Sequence, residues 1–184
     1  MRTQIEQVLE LASLEQPVYQ LERRALAVTE WLHQTCAAFE PKVKAEGGSL
    51  QWSFIGPDGF LTADAGHLSN ALANLLDNAL KYGGQPPVIQ VEAISGPKGL
   101  TLKVKDNGDG VPEARQADVF QKFVRLHAGA IQGFGLGLSY VQQVARLHDG
   151  QAGMHNHSEG GAVFWLYLPD FEPGETSPKQ LQYG

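Results

Sequence analysis

The sequence predicts an α+β domain: a mixed sheet with helices packed on one face. Three observations predict it. Segments with helical apolar spacing alternate with strand-like segments, the helical segments keep their apolar residues to one stripe, and the strand-like segments of the middle come as hairpins around Gly/Pro turns. In order, Ile5, Val8, Leu9, Leu11, Ala12 and Leu14 set a helix over 3–15 that Pro17 ends. Residues 19–28 are mixed, with room for a strand. Thr29 has the chemistry of an N-cap for a helix carrying Trp31, Leu32, Cys36, Phe39 and Val43 on one stripe. Pro41 predicts a kink there, and Gly47-Gly48 the end. Residues 50–54 alternate as a strand, Gly56-Pro57-Asp58-Gly59 is a turn, and 60–62 are expected to pair back. Asp64 caps a long helix over 65–82, closed by Gly83-Gly84. Residues 88–94 and 100–104 read as a hairpin around 95–99. A glycine-rich loop at 106–111, a short helix near Phe120 and an irregular stretch over 127–135 follow. A helix over 136–147 and a second hairpin-like pair, 151–156 with 163–168, complete the domain. The organisation expected is a separate helix over 1–16, a domain over 17–169, and a loose tail over 170–184.

Composition narrows the function. The 184 residues carry 14 Lys+Arg against 20 Asp+Glu, a net charge of −6 that is a poor start for sequence-independent nucleic-acid binding. The chain is 42% hydrophobic and 18% charged, a globular profile, and no apolar run approaches the ~20 residues of a membrane span. Cys36, the single cysteine, excludes an internal disulfide and a multi-cysteine metal site, and its place on an apolar stripe predicts a buried small hydrophobe. Trp31, Phe39, Trp52, Phe54, Phe164 and Trp165 are expected in the core. His155 and His157 read as a solvent-facing pair, since no Cys or carboxylate stands at ligand spacing.

Three blocks carry chemistry. Asn70, Asn74 and Asn78 recur every four residues, a polar stripe on an otherwise apolar helix, although asparagine's amide competes for backbone bonds there. The amide oxygen of Asn78 could ligate Mg²⁺ and leave its other positions to phosphates and water, with Lys81 a turn onward as a point charge for phosphate. Helix capping or core hydrogen bonding by the amides is the competing reading. The second block, Asp106-Asn107-Gly108-Asp109-Gly110-Val111, follows a strand. Its glycines let backbone approach a flat ligand, and an Asp at the strand end can accept the exocyclic N–H of adenine but would repel guanine's carbonyl. A surface turn is the alternative; a calcium loop fails, because Lys105 would fall on its first ligand position. The third, Gly133-Phe134-Gly135-Leu136-Gly137-Leu138, runs into a helix, where backbone N–H groups can hold an anion. It is neither a P-loop nor a dinucleotide fingerprint. A flexible hinge is the alternative, and one compatible with a segment closing over a nucleotide.

In order and spacing the blocks resemble the catalytic and ATP-binding domain of bacterial sensor histidine kinases, within the gyrase, chaperone and mismatch-repair ATPase superfamily. Residues 74–82 are similar to the family's N box, 106–110 to its first glycine box, 120–125 to its F box, 133–138 to its second glycine box, and 160–164 to the approach to its closing strand. The resemblance spans about 29–169. It implies the Bergerat ATP-binding fold: a two-layer α/β sandwich, about five strands in a mixed sheet, three helices, and a mobile ATP lid over about 124–133. It implies ATP and Mg²⁺ as cofactors, with Asn78 as metal ligand, Asn74 near the phosphates, Lys81 on phosphate and Tyr82 against the adenosine. Asp106 would bind the base amine in a pocket lined by Gly108, Gly110 and Val111. Phe123, Gly133, Gly135, Leu136, Gly137 and Leu138 would complete the nucleotide contacts. Arg125 would reach the phosphates or the acceptor, making Asn74, Lys81 and Arg125 the catalytic set.

Two departures shape the expected function. The family's phosphoacceptor histidine lies on a helix before an acidic residue, and none of His33, His67, His127, His148, His155 or His157 has that context. The 3–15 helix resembles the end of the second dimerisation helix, so the expectation is a fragment whose acceptor helix and sensor lie upstream; a helix docked on the domain is the alternative that periodicity leaves open. The lid also reads as short. Where gyrase-like ATPases and the anti-sigma serine kinases place a Glu as base, this chain has the neutral Asn74, which cannot take a proton. The expected function is therefore to hold Mg-ATP for a histidine on another domain, with a nucleotide-sensing or docking module as alternative and an ATP-hydrolysing clamp behind it. Expected partners are ATP, the missing dimerisation domain and, indirectly, a response regulator; no nucleic-acid or membrane contact is expected, and the location is cytoplasmic.

Overall fold

The computed structural model describes residues 4–124, 135–174 and 181–183. Helix α1 (Gln4–Leu14) is followed by β1 (Arg24–Ala27), α2 (Val28–Ala45), β2 (Ser49–Ile55), β3 (Gly59–Ala63) and α3 (Ala65–Tyr82). Then come β4 (Val88–Gly96), β5 (Gly99–Lys105), the single turn α4 (Glu113–Gln116), α5 (Gly137–Leu147), β6 (Gln151–Asn156), β7 (Ala162–Leu168), β8 (Phe171–Pro173) and β9 (Leu181–Tyr183).

The main sheet has strand order β6-β7-β5-β4-β2-β9. It is mixed: β2 and β4 run parallel, every other pair antiparallel. Register explains its two faces. One row aligns Trp52, Val91, Val104, Phe164 and Met154, and the next Phe54, Ala93, Leu102, Leu166 and Ala152. The alternate rows carry Ser53, Glu92 and Lys103, or Gln51, Gln90 and Lys105. Because side chains alternate across a strand, the apolar rows lie under the helices and the polar rows face outward. Helix α3 contributes Leu68, Ala71, Leu72, Leu75, Leu76 and Ala79 to the core, a stripe at helical spacing. This is the expected α+β architecture.

Several local expectations are corrected. Residues 60–62 do not pair back on β2; β3 joins β1 and β8 in a second, three-stranded sheet. Thr29 does not cap α2, which begins at Val28 after Ala27; its hydroxyl instead donates to Asp58 Oδ1 at 2.7 Å, the oxygen that also takes the Gly59 N–H. Helix α2 has Pro41 inside it and ends at Ala45, just ahead of Gly47-Gly48 as the sequence predicts. The short helix falls at 113–116, ahead of Phe120. Within 170–184 the described residues are not loose: β8 pairs with β3 and β9 with β2. Trp165 lies on an outward row, where a side chain at Gly153 would meet its indole. Trp31, Trp52, Phe54, Phe164 and Cys36 are buried as expected. Burial pushes the Cys36 thiol up to about 12, out of reach of ordinary thiolate chemistry.

Asp64 caps α3 as its sequence position predicts, accepting from the Gly66 and His67 N–H groups at 3.1 Å. Its own N–H donates to His148 Nε2 at 3.0 Å, while His148 Nδ1 donates to the Val144 carbonyl at 2.8 Å. The buried imidazole is therefore neutral, and burial lowers its pKa from the ordinary 6.5. The unfolded chain takes up this proton at a higher pH than the folded one. His148 therefore contributes stability that is fully present above 6.5 and is lost as pH falls through 6.5 towards the folded value. Urea unfolding between pH 7.5 and 5.5 should show this loss on about that pH scale, and His148→Gln should flatten the slope.

Candidate functional site

The site grows out of the C-terminal half of α3. The Leu72, Leu75, Leu76 and Ala79 stripe is pinned to the sheet, which turns Asn74 and Asn78, both half-buried, to another side of the helix. Asn74 Nδ2 donates to the Asn70 carbonyl at 2.9 Å. Asn70 belongs to a different cluster, with Nδ2 3.3 Å from Glu10 Oε1 and 3.4 Å from the Tyr140 hydroxyl. The asparagine stripe is thus divided: Asn70 serves the packing of α1 and α5 on α3. The Asn78 side-chain amide makes no hydrogen bond to any described residue, and neither does the exposed Lys81 ammonium form an ion pair among them.

Asp106 directly follows β5 and is only 4% exposed. Its Oδ1 accepts two backbone N–H groups, from Gly108 at 2.9 Å and Ala162 at 3.1 Å. Its Oδ2 accepts none from the described residues. No buried side-chain oxygen or nitrogen among the described residues lacks a partner, so this oxygen opens onto accessible space. Burial raises the Asp106 pKa from 3.8, and the two amides pull it back down.

The blocks meet through backbone. A Cβ at Gly108 would collide with the Tyr82 carbonyl, so the first glycine loop lies directly on the end of α3. A Cβ at Gly137 would stand 2.9 Å from Asn74 Oδ1, so the start of α5 lies against the asparagine stripe. The Phe123 N–H donates to the Gly135 carbonyl at 3.0 Å, joining the segment ending at Val124 to the second glycine block. Phe123 is 65% exposed and has a left-handed backbone, with φ 65°. Val111 and Leu136 are buried, and Leu138 packs on the core. The structure thus brings together Asn74, Asn78, Lys81, Tyr82, Asp106, Gly108, Gly110, Val111, Phe123, Gly135, Leu136, Gly137 and Leu138 on adjoining elements. Arg125, Gly133 and the expected lid lie outside the described residues.

Two residues to which sequence reasoning gave no role stand out. Asn107 Oδ1 accepts from the Gly84 and Val88 N–H groups at 3.0 and 2.9 Å, and Nδ2 donates to the Pro86 carbonyl at 3.0 Å. It clasps the chain leaving α3 to the glycine loop. Asn156, at the end of β6, bonds both main-chain groups of Val111. Asn107 stood inside a motif already singled out; Asn156 had no local signal. An open pocket of about 450 Å³ lies at the other end of α3, bounded by Tyr19, Glu22, Asp64 and His67. Its polar groups are engaged with one another: the Tyr19 hydroxyl meets His67 Nε2 at 2.6 Å, and Asp64 Oδ2 accepts the Glu22 N–H at 3.0 Å.

A mixed sheet layered with helices, carrying an asparagine-lined helix beside a buried strand-end aspartate and two glycine turns, defines an ATPase-type nucleotide domain. The comparisons give the family. Residues 63–172 match the sequence profile of the histidine kinase-, DNA gyrase B-, and HSP90-like ATPases, more than half of the chain, and the chain belongs to that family. It is 30% identical over 174 residues to the sensor protein RprX of Bacteroides fragilis, covering 92% of this chain and 34% of the relative. It is 41% identical over 99 residues to the sensor-type histidine kinase PrrB of Mycobacterium tuberculosis, covering 54% of this chain and 22% of that one. The fold superposes on full-length ShkA in complex with AMPPNP with a TM-score of 0.80 at 25% identity, covering 92% of this chain and 35% of that one. The chain thus spans less than half the length of these curated relatives. Among the described residues, no helix is long and apolar enough to cross a membrane.

Proposed function

We propose that this chain is the ATP-binding catalytic domain of a two-component sensor histidine kinase. It would hold Mg-ATP for phosphoryl transfer to a histidine on a helical dimerisation domain. The observation that carries the reading is Asp106: a buried carboxylate with one oxygen secured by two amides and the other accepting from no described residue. An acceptor-only group held this way suits the 6-amino group of adenine and repels the carbonyl that guanine carries at that position. Gly108, Gly110 and Val111 would line the base, Tyr82 would lie against the adenosine, and Lys81 would meet phosphate as a point charge. Phe123, Gly135, Leu136, Gly137 and Leu138 complete the nucleotide set, with Gly133 and Arg125 in the segment between. The family's relatives act on ATP, and the AMPPNP-bound ShkA shares the fold.

Magnesium fits the donors present. Asn78 offers a half-buried neutral amide oxygen that no described residue occupies, and Mg²⁺ prefers a few protein oxygens with phosphates and water filling the rest. When bound, the ion would neutralise charge on the β- and γ-phosphates. The chain's own part is positioning. Asn74 is a neutral amide that cannot serve as a base, so it can orient phosphate but cannot activate water. Neutral histidine is itself nucleophilic, so aligning the γ-phosphoryl with it suffices for transfer.

The partner would be the acceptor-bearing helical domain, with α1 as the last part of its second helix. The packing supports this. Leu11 and Leu14 are buried, Gln143 Nε2 donates to the Leu14 carbonyl at 2.7 Å, and Glu15 pairs with Lys122 at 2.5 Å. Ile5, Val8 and Leu9 remain exposed, as a helix expecting further partners would leave them. A response regulator would receive the phosphoryl group from that histidine, and the domain would work in the cytoplasm, where ATP is.

The test is transfer. Mg-ATP should bind in preference to Mg-GTP by calorimetry, and γ-labelled ATP should label a supplied acceptor helix of the parent kinase. Tight ATP binding with no label on that helix would leave the nucleotide-sensing module as the reading.

A further inference from the structure

We infer that Asn156 is the positioning residue that holds the base side of the nucleotide site in its binding shape. The inference rests on the proposed reading of the 106–111 loop as the base pocket.

The loop is short of backbone partners. After Asp106 the chain leaves the sheet, and the Asp106 N–H pairing with the Ala162 carbonyl is the last ladder-like bond before Val111. Val111 is 3% exposed, so its N–H and C=O both need partners, and among the described residues it belongs to no strand ladder that would supply them. Asn156 supplies them. Its Oδ1 accepts the Val111 N–H at 2.8 Å and its Nδ2 donates to the Val111 carbonyl at 2.8 Å. A primary amide has the same donor–acceptor pair as a peptide group, so one side chain substitutes for a missing strand. Gln116 Nε2 adds a second donor to the same carbonyl at 3.0 Å. Strand β6 is the sheet edge, paired only to β7, so its last residue is free to turn its amide across to the loop.

Gly110 fits this clamp. Its φ is +76° and a Cβ there would stand 2.8 Å from Asn156 Oδ1, so the amide occupies the space a side chain would take. The glycine loop is thus held at both ends. Asp106 Oδ1 binds Gly108 N–H at the entry and Asn156 binds Val111 at the exit. Asn156 acts only through this backbone. Its effect therefore falls on recognition of the base, with no selectivity between di- and triphosphate.

The experiment uses the 184-residue chain. Calorimetry measures ATP and ADP affinity for the unaltered protein, Asn156→Ala, Asn156→Asp and Asp106→Asn, with hydrogen exchange on each apo form. Asn156→Ala should weaken ATP and ADP by the same factor, about five- to twenty-fold for one or two lost part-buried hydrogen bonds. Exchange should quicken in 108–111 while α3, β4 and β5 stay protected. Asn156→Asp keeps the acceptor for the Val111 N–H but sets a carboxylate oxygen against the Val111 carbonyl, so it should not restore the affinity. Unchanged ATP affinity in Asn156→Ala with a folded core, or a loss confined to ATP, would overturn the inference. So would exchange that quickens throughout the sheet, which marks a general structural role. Asp106→Asn separates the two levels. If it weakens ATP while Asn156→Ala does not, the base pocket stands and Asn156 has no part in it. If neither variant weakens ATP, the base-pocket reading itself falls.

Discussion

Asp106→Asn should lower ATP affinity by roughly ten- to 150-fold, the equivalent of about 1.5–3 kcal/mol for a hydrogen bond to a charged group. The amide keeps an oxygen for the Gly108 and Ala162 N–H groups, so the loop stays tied. The change falls on the second atom: an acceptor that no described residue uses becomes an NH₂ donor, which would meet the amine of adenine donor to donor. Apo stability should move the other way. Asp106 is buried and its pKa is raised by desolvation, so its charge is held at a cost that the neutral amide removes. Calorimetry and thermal melting on one preparation check both halves. An apo protein at least as stable as the original, with weak ATP binding, is the expected pair. Undiminished ATP affinity would mean that Asp106 does not read the base.

Asn78→Ala should abolish the magnesium dependence of nucleotide binding, with a loss in Mg-ATP affinity of about ten-fold or more, as for a lost contact to a charged group. Affinities measured with Mg²⁺ and with a chelator should converge. The fold should not suffer. The Asn78 amide bonds no described residue, and alanine is the better helix former in the middle of α3 by up to about 0.7 kcal/mol. Helix stability retained alongside lost metal dependence separates ligation from structure. An unaltered difference between magnesium and chelator would remove Asn78 from the metal site. Asn74→Ala is a useful neighbour: its Nδ2 is already bonded to the Asn70 carbonyl and its Oδ1 abuts Gly137, so that change disturbs packing as well.

Much of the site was legible because its signals are local. The Asp64 cap, the apolar stripe of α3, the hairpin of β4 and β5 and the glycine turns each depend on residues within a few positions of one another. The asparagine stripe was legible as a pattern but not in its division. Periodicity puts Asn70, Asn74 and Asn78 on one side, and only the arrival of Glu10 and Tyr140 assigns Asn70 to packing. Thr29 shows the same limit. Its hydroxyl suits a cap, but Asp58 is within reach once the turn folds over the start of α2, and a carboxylate is the stronger acceptor.

The residues alone determined most of the helices and strands from α1 to β7, which block holds the amide, and which holds the carboxylate. Spacing of side-chain chemistry along a short stretch does not depend on where the rest of the chain goes. Tertiary structure decided the pairings: β3 with β1 and β8, β9 beside β2, Asn107 on the chain after α3, and Asn156 on Val111. Each of these satisfies a backbone N–H or C=O with a group distant in sequence. A strand edge or a loop carries no mark of which distant partner will complete it; the packed sheet makes that choice.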